Sequence, residues 1–205
     1  MTRDVVLAAG LWMPGAAMAL LASRLERSGY APRVFAYRGR APFDANVERL
    51  ARFACESLGG RAAHFVGHSL GGLLVLEMLN RHAEVPVASA VLLGAPVRGC
   101  FAGRRLGRSR LGRWMMGACG PLWEERAARW MRSAPLGVVA GTLPFGLGRA
   151  LGRLPGANDG VVCVEETAVE GTKARALLAL GHTMLPFSGA AARLVERFLG
   201  TAGFE

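Results

Sequence analysis

Lysine is almost missing from this chain: Lys173 is the only one, so arginine carries nearly all of the positive charge. Aspartate is scarce, at Asp4, Asp44 and Asp159, and so is histidine, at His64, His68, His82 and His182. That scarcity narrows any search for an acid–base pair to a few side chains. The cysteines Cys55, Cys100, Cys119 and Cys163 form no C-x-x-C pair and no ligand cluster. A metal site is therefore not expected, nor a disulfide framework, and buried free thiols are. Neither G-x-x-x-x-G-K-[ST] nor a well-placed G-x-G-x-x-G is present, which argues against a nucleotide-binding enzyme. No fixed-period repeat or low-complexity tract occurs. Nor is there an uninterrupted apolar run of the ~18 residues that a membrane span needs. Residues 5–22 come nearest, and Ala17-Met18-Ala19 imitates a signal cleavage site. Gly10, Pro14 and Gly15 interrupt that run and its first part supplies a strand, so a signal peptide is not expected. The expected location is cytoplasmic, with peripheral membrane contact left open.

What is present is an ordinary globular composition with an unusual charge. The chain is 52% hydrophobic and 20% charged, which excludes a disordered polymer. Its 205 residues suit one domain, 1–205, able to bury about two-thirds of its unfolded surface. The net charge is +10. Nine arginines lie between Arg98 and Arg132 against two acids, Glu124 and Glu125, so this one segment carries +7. A bias toward arginine codons would give a basic chain, but it does not by itself give this concentration. A basic segment suits nucleic acid, an anionic membrane surface or an acidic substrate. No nucleic-acid-binding motif accompanies it, so no nucleic-acid partner is expected. Leu106, Leu111, Trp114, Met115 and Met116 interleave with the arginines as in an interfacial helix, which makes an anionic membrane surface a candidate partner of segment 98–132. A solvated connecting helix with an ordinary apolar face fits the same pattern.

Six apolar runs of strand length, 4–9, 31–37, 62–67, 87–93, 135–141 and 174–180, alternate with helical stretches. Helices are expected over 16–28, 44–58, 70–82 and 188–200. Such alternation predicts an α/β fold: a doubly wound, mostly parallel sheet of about six strands with helices on both faces. The longest connection, 94–134, must hold a return helix and has room for a small lid. Its large side chains (Phe101, Trp114, Met115, Met116, Trp123, Trp130, Met131) suit packing of that helix on the sheet or an apolar wall for an acyl chain. A Gly- and Pro-rich excursion over 142–158 is placed to position Asp159 and rim a pocket.

The sharpest motif is Gly67-His68-Ser69-Leu70-Gly71, a G-x-S-x-G between the strand-like Ala62–Val66 and the helix-like Gly72–Leu79. A serine at a strand-to-helix turn stands clear of the sheet edge, where a carbonyl can reach it. It needs a base to take its proton, usually a histidine held by a carboxylate. His64 and His68 lie beside the turn and His82 ends the following helix, so none of these is placed to face the serine. His182 follows the last strand. Asp159 is the only aspartate after the serine, with Glu165 and Glu166 as fallback acids. The order Ser69, Asp159, His182 suits a hydrolase sheet.

These segments, with Leu7–Gly15, Asn158–Val162 and Gly181–Thr183, resemble an α/β-hydrolase of the lipase/esterase group with a compact bacterial architecture and a small cap or none. The likeness runs over nearly the whole chain. It implies a serine hydrolase of carboxylic esters with Ser69, Asp159 and His182 as catalytic residues and no cofactor. It also implies an oxyanion hole from the backbone N–H groups of Leu11 and Leu70. Trp12, Met13 and His68 are the candidate substrate-binding residues, the expected partner being a small acyl ester or lipid. One departure stands out: many relatives carry His-Gly in the oxyanion loop, and this chain has Ala9-Gly10. Losing that imidazole is expected to loosen the loop. An acyltransferase or thioesterase using the same residues is a second reading. A non-catalytic binding protein on a degenerate hydrolase fold is a third.

Overall fold

In the computed structural model, which describes residues 2–146 and 152–205, all six expected strands pair into one parallel sheet. They are β1 (Asp4–Ala8), β2 (Ala31–Phe35), β3 (Ala63–His68), β4 (Val87–Leu93), β5 (Leu136–Gly141) and β6 (Ala174–Leu178), in the order β2-β1-β3-β4-β5-β6. β1 is flanked by β2 on one side and β3 on the other, with Ala8 opposite Phe35 and Gly67. The chain reverses its direction of travel between β1 and β3. Loops leaving these two strands therefore diverge above one point of the sheet edge, where open parallel sheets bind ligands.

Helices cover both faces. α1 (Ala19–Arg27) and α6 (Gly189–Thr201) bury Leu21, Leu25, Val195 and Phe198 against Val5, Leu7, Val66 and Val91. α2 (Phe43–Leu58) and α3 (Leu70–Arg81) bury Leu50, Leu58, Leu74 and Met78 against Val6, Phe65, Ala90 and Leu92. Each such side chain contributes about 1.5–3 kcal/mol by leaving water, so the two layers hold the sheet edge rigid. The central strands read as continuous apolar runs because both of their faces are covered. β6 lies at the edge of the sheet, and Leu177 there is exposed.

The connection 94–134 departs from expectation. It holds two seven-residue helices, α4 (Phe101–Gly107) and α5 (Arg110–Met116), and a 3-10 turn (Gly117–Trp123). These pack mainly on one another. No return helix follows. Residues 124–135 run back in extended and bent conformations laced to the end of α3. Arg132 donates to the carbonyls of Leu79 (2.6 Å), His82 (3.0 Å) and Val85 (2.9 Å), and Asn80 bonds the backbone of Arg129 and Met131. The guanidinium satisfies carbonyls that α3 leaves open at its end, and a return helix is not needed to anchor the segment. Of the cysteines, Cys100, Cys119 and Cys163 are buried as expected, whereas Cys55 is exposed on α2. Part of the 142–158 excursion, residues 147–151, lies outside the described residues.

Candidate active site

Ser69 closes β3 and opens α3 with φ 54° and ψ −123°, a conformation costly for any residue with a side chain. The turn is tight because its glycines allow it. A Cβ on Gly67 would stand 2.5 Å from the Gly71 carbonyl oxygen and the Gly72 Cα, which are backbone atoms that cannot swing aside. The Ser69 N–H is held by the Leu93 carbonyl at 2.9 Å. The hydroxyl faces the sheet edge and lines a cavity.

His182 begins a short 3-10 turn (His182–Phe187) after β6, and its Nε2 lies 2.9 Å from Ser69 Oγ. Its Nδ1 lies 2.7 Å from Asp159 Oδ2. The carboxylate accepts the Nδ1 proton, so Nε2 carries the lone pair that accepts the serine proton. The other carboxylate oxygen, Oδ1, accepts from the Val161 N–H (3.0 Å) and the Val162 N–H (2.7 Å). The His182 N–H donates to the Asp159 carbonyl at 2.9 Å, which ties the two loops by backbone as well. Asp159 is 1% exposed, so this charge is screened little and its hold on the imidazole is strong. A hydroxyl, an imidazole and a carboxylate in line form a relay able to activate the oxygen for attack on a carbonyl. The expected three residues are thus brought together. The fallback acids are elsewhere: Glu165 is exposed, and Glu166 accepts from the N–H groups of Phe101 and Cys163.

His68 lines the cavity but does not face the serine oxygen. Its Nε2–H donates to the His182 carbonyl at 3.1 Å, and its Nδ1 is buried without a partner. Burial, reinforced by the nearby His182, pushes its pKa well below 6.5 even though the carbonyl bond opposes the shift. His68 is therefore neutral in the folded protein and protonated in the unfolded chain below about pH 6.5. A depressed folded pKa gives stability that is whole above the unfolded value and is lost as pH falls. His64, lowered chiefly by burial, acts in the same direction, whereas the more exposed His82, raised by Glu84, opposes them. Unfolding free energy is expected to drop below pH 6.5 by up to about 1.4 kcal/mol per pH unit for each such histidine. Urea titrations of wild type and His68→Asn across this range check it, because the variant's slope should be shallower. Parallel slopes would contradict it.

The loop after β1 supplies the rest. The Met13 N–H bonds the Gly10 carbonyl at 3.2 Å, closing a turn in which Trp12 takes φ 61°. A Cβ on Gly10 would lie 2.9 Å from the Ser69 Cβ, so glycine lets the loop lie against the serine. Leu70 stands in the first turn of α3, where the helix offers its N–H no acceptor of its own. The Ala9 loop is tied by a residue that sequence reasoning missed. Tyr37, just past β2, donates its hydroxyl to the Ala9 carbonyl at 2.6 Å. Burial raises the Tyr37 pKa and keeps the phenol a donor. Its place beyond the strand next to β1 was the available signal.

The cavity holds about 450 Å³. Trp12 and Met13, two of the candidate binding residues, line it together with Leu106, Met115, Met116 and Trp123 from the long connection. That connection thus forms an apolar wall. Val161, Val162 and Thr183 complete the lining beside the acid and the base. Cys100 also reaches the cavity, but burial and the charge of Glu166 push its thiol up to about 12. It stays protonated and does not compete as a nucleophile.

A family model described as "Alpha/beta hydrolase family" matches residues 5–199. Among solved structures, the mature form of lipase BlEst2 from Bacillus licheniformis aligns with a TM-score of 0.72 at 18% identity, over 97% of this chain and 91% of that one. A pyrethroid hydrolase from Sphingobium faniae JZ-2 aligns at 0.61 with 16% identity, over 98% of each chain. The lin2722 gene product of Listeria innocua aligns at 0.65 with 15% identity, over 98% of this chain and 95% of that one. No curated protein matches the chain. The structural neighbours share the fold at low identity, and the family model spans nearly the whole sequence. The chain belongs to the alpha/beta hydrolase family.

Proposed function

We propose that the protein is a serine hydrolase that cleaves carboxylic esters through an acyl-enzyme. The observation that carries this reading is the chain of contacts from Ser69 Oγ through His182 to Asp159, at 2.9 Å and 2.7 Å. Ser69 Oγ attacks the ester carbonyl as its proton passes to His182 Nε2. The carbonyl oxygen becomes an anion, stabilised by the N–H groups of Leu70 and Leu11. Asp159 stabilises the imidazolium without taking its proton. When the tetrahedral intermediate collapses, the C–O bond to the alcohol breaks and His182 gives its proton to the leaving oxygen. Water then attacks the acyl-serine with His182 as base, and the carboxylic acid leaves.

The apolar lining favours an acyl chain with little polarity. Met115 and Met116 give that wall adaptable side chains. Initial rates on p-nitrophenyl esters from acetate to laurate test the reading. Rates are expected to rise from acetate to a medium-length acyl group as the cavity fills. No turnover of any ester by folded protein would contradict it. The same acyl-enzyme could pass to an alcohol or arise from a thioester. Ester formation when a primary alcohol is added would assign the transferase reading instead.

A further inference from the structure

Exposed apolar side chains concentrate at one end of the molecule. Trp12, Leu111, Trp114, Leu143, Phe145 and Met184 are exposed, and all six stand on segments that leave the C-terminal ends of strands. Several of them stand on or beside residues that line the cavity. Trp12 lines the cavity, and its indole N–H donates to the carbonyl of Met115, another lining residue, at 2.9 Å. The backbone of Phe145 lies against Gly160 and Gly181, next to the lining residues Val161 and His182. Met184 follows Thr183, which also lines the cavity.

The same rim is basic. α5 exposes Arg110, Leu111, Arg113 and Trp114 together and turns Gly112 and Met116 inward. Arg108 is exposed one turn earlier. Arg40 lies over the Trp114 ring at 4.7 Å and donates to its carbonyl at 2.6 Å, which fixes an aromatic and a cation side by side. Among the described residues, Arg108 and Arg110 have no carboxylate at ion-pair distance. Arg113 spends one nitrogen on the carbonyls of Gly107 and Arg108. No acidic residue occurs between Glu84 and Glu124.

We propose that this rim docks on an anionic phospholipid surface. Trp114 and Leu111 enter the headgroup region, Arg108, Arg110 and Arg113 meet the lipid phosphates, and the cavity mouth faces the bilayer. A merely solvated helix would leave the clustered tryptophan, phenylalanine and leucine side chains facing water. A second copy of the chain would bring two basic rims together, and the repulsion of like charges opposes that. Aromatic rings with arginines interleaved suit a headgroup layer, which is apolar below and anionic above. The proposal extends the ester-hydrolase reading by naming where its substrate is met. Its test reads binding alone, so failure of one leaves the other standing.

The test is sedimentation of the full chain carrying Ser69→Ala with vesicles of phosphatidylcholine alone, or of phosphatidylcholine with phosphatidylglycerol. Binding to the anionic vesicles is expected to be at least about tenfold tighter and to weaken in high salt. Adding Arg108→Glu, Arg110→Glu and Arg113→Glu should weaken it by about 100-fold or more. Arg49→Glu, Arg52→Glu and Arg197→Glu change the net charge equally on α2 and α6 and should weaken it far less. Leu111→Ala with Trp114→Ala should cost about tenfold with the charge untouched. Equal binding to both vesicle types would overturn the proposal, as would equal losses from the two arginine sets. Tighter binding to a DNA duplex than to the anionic vesicles would also overturn it.

Discussion

Ser69→Ala is expected to lower kcat/KM for an activated acyl ester by at least about 10⁴-fold, with the fold intact. The substitution removes the oxygen that forms the covalent bond and little else. The Ser69 hydroxyl bonds only His182 Nε2, and the backbone turn is held by its own N–H to Leu93. His182 keeps its bond to Asp159, so the surrounding loops should not shift. What remains is the rate from binding and from the two backbone N–H groups, acting on water as a poor nucleophile. Initial rates on p-nitrophenyl butyrate with a thermal melt beside them check this. A loss below tenfold in a folded variant would mean that Ser69 is not the nucleophile.

Asp159→Asn is expected to lower kcat by about 10²- to 10⁴-fold with a much smaller change in KM. The geometry makes the substitution specific. Oδ1 accepts from the Val161 and Val162 N–H groups, so the asparagine carbonyl oxygen is held there and the amide nitrogen takes the place of Oδ2. An N–H donor then faces His182 Nδ1 where an acceptor stood. The imidazole must switch tautomer, placing its proton on Nε2 and leaving no lone pair for the Ser69 proton. The cavity is unchanged, so substrate binding should persist. If kcat survives within tenfold, another group orients His182, and Asp159 serves only to shape its loop.

Much of this was legible in the sequence because it is written locally. The six strands are short apolar runs, and burial on both sheet faces makes such runs stand out. Ser69 could be read from five residues because Gly67 is set by the backbone of Gly71 and Gly72 in the same turn, and Gly71 by the carbonyls of Ala8 and Ala9 that any such turn beside β1 must pass. His182 and Asp159 followed from scarcity and chain order. The parts that were not legible depend on contacts far apart in sequence. In place of the return helix expected in 94–134, Arg132 binds the end of α3 and Asn80 of α3 holds the backbone of Arg129 and Met131, and no pattern within the segment announces those bonds. Tyr37 ties the loop after β1 from 28 residues away. Whether the large side chains of the long connection packed on the sheet or walled a cavity depended on where α4 and α5 came to rest. Cys55 escaped burial because its position on α2 faces solvent, although cysteine is usually a core residue.

The measurement that tests the account most directly is intact-mass analysis after a fluorophosphonate probe, on wild type, Ser69→Ala and His182→Ala. The probe reacts with a serine only where a base has activated it and N–H groups can hold the developing charge. One adduct on wild type, none on Ser69→Ala and a greatly slowed reaction on His182→Ala is the result expected from the relay. No adduct on folded wild-type protein, with or without detergent, would contradict an activated Ser69 and turn the reading toward a binding protein on a hydrolase fold.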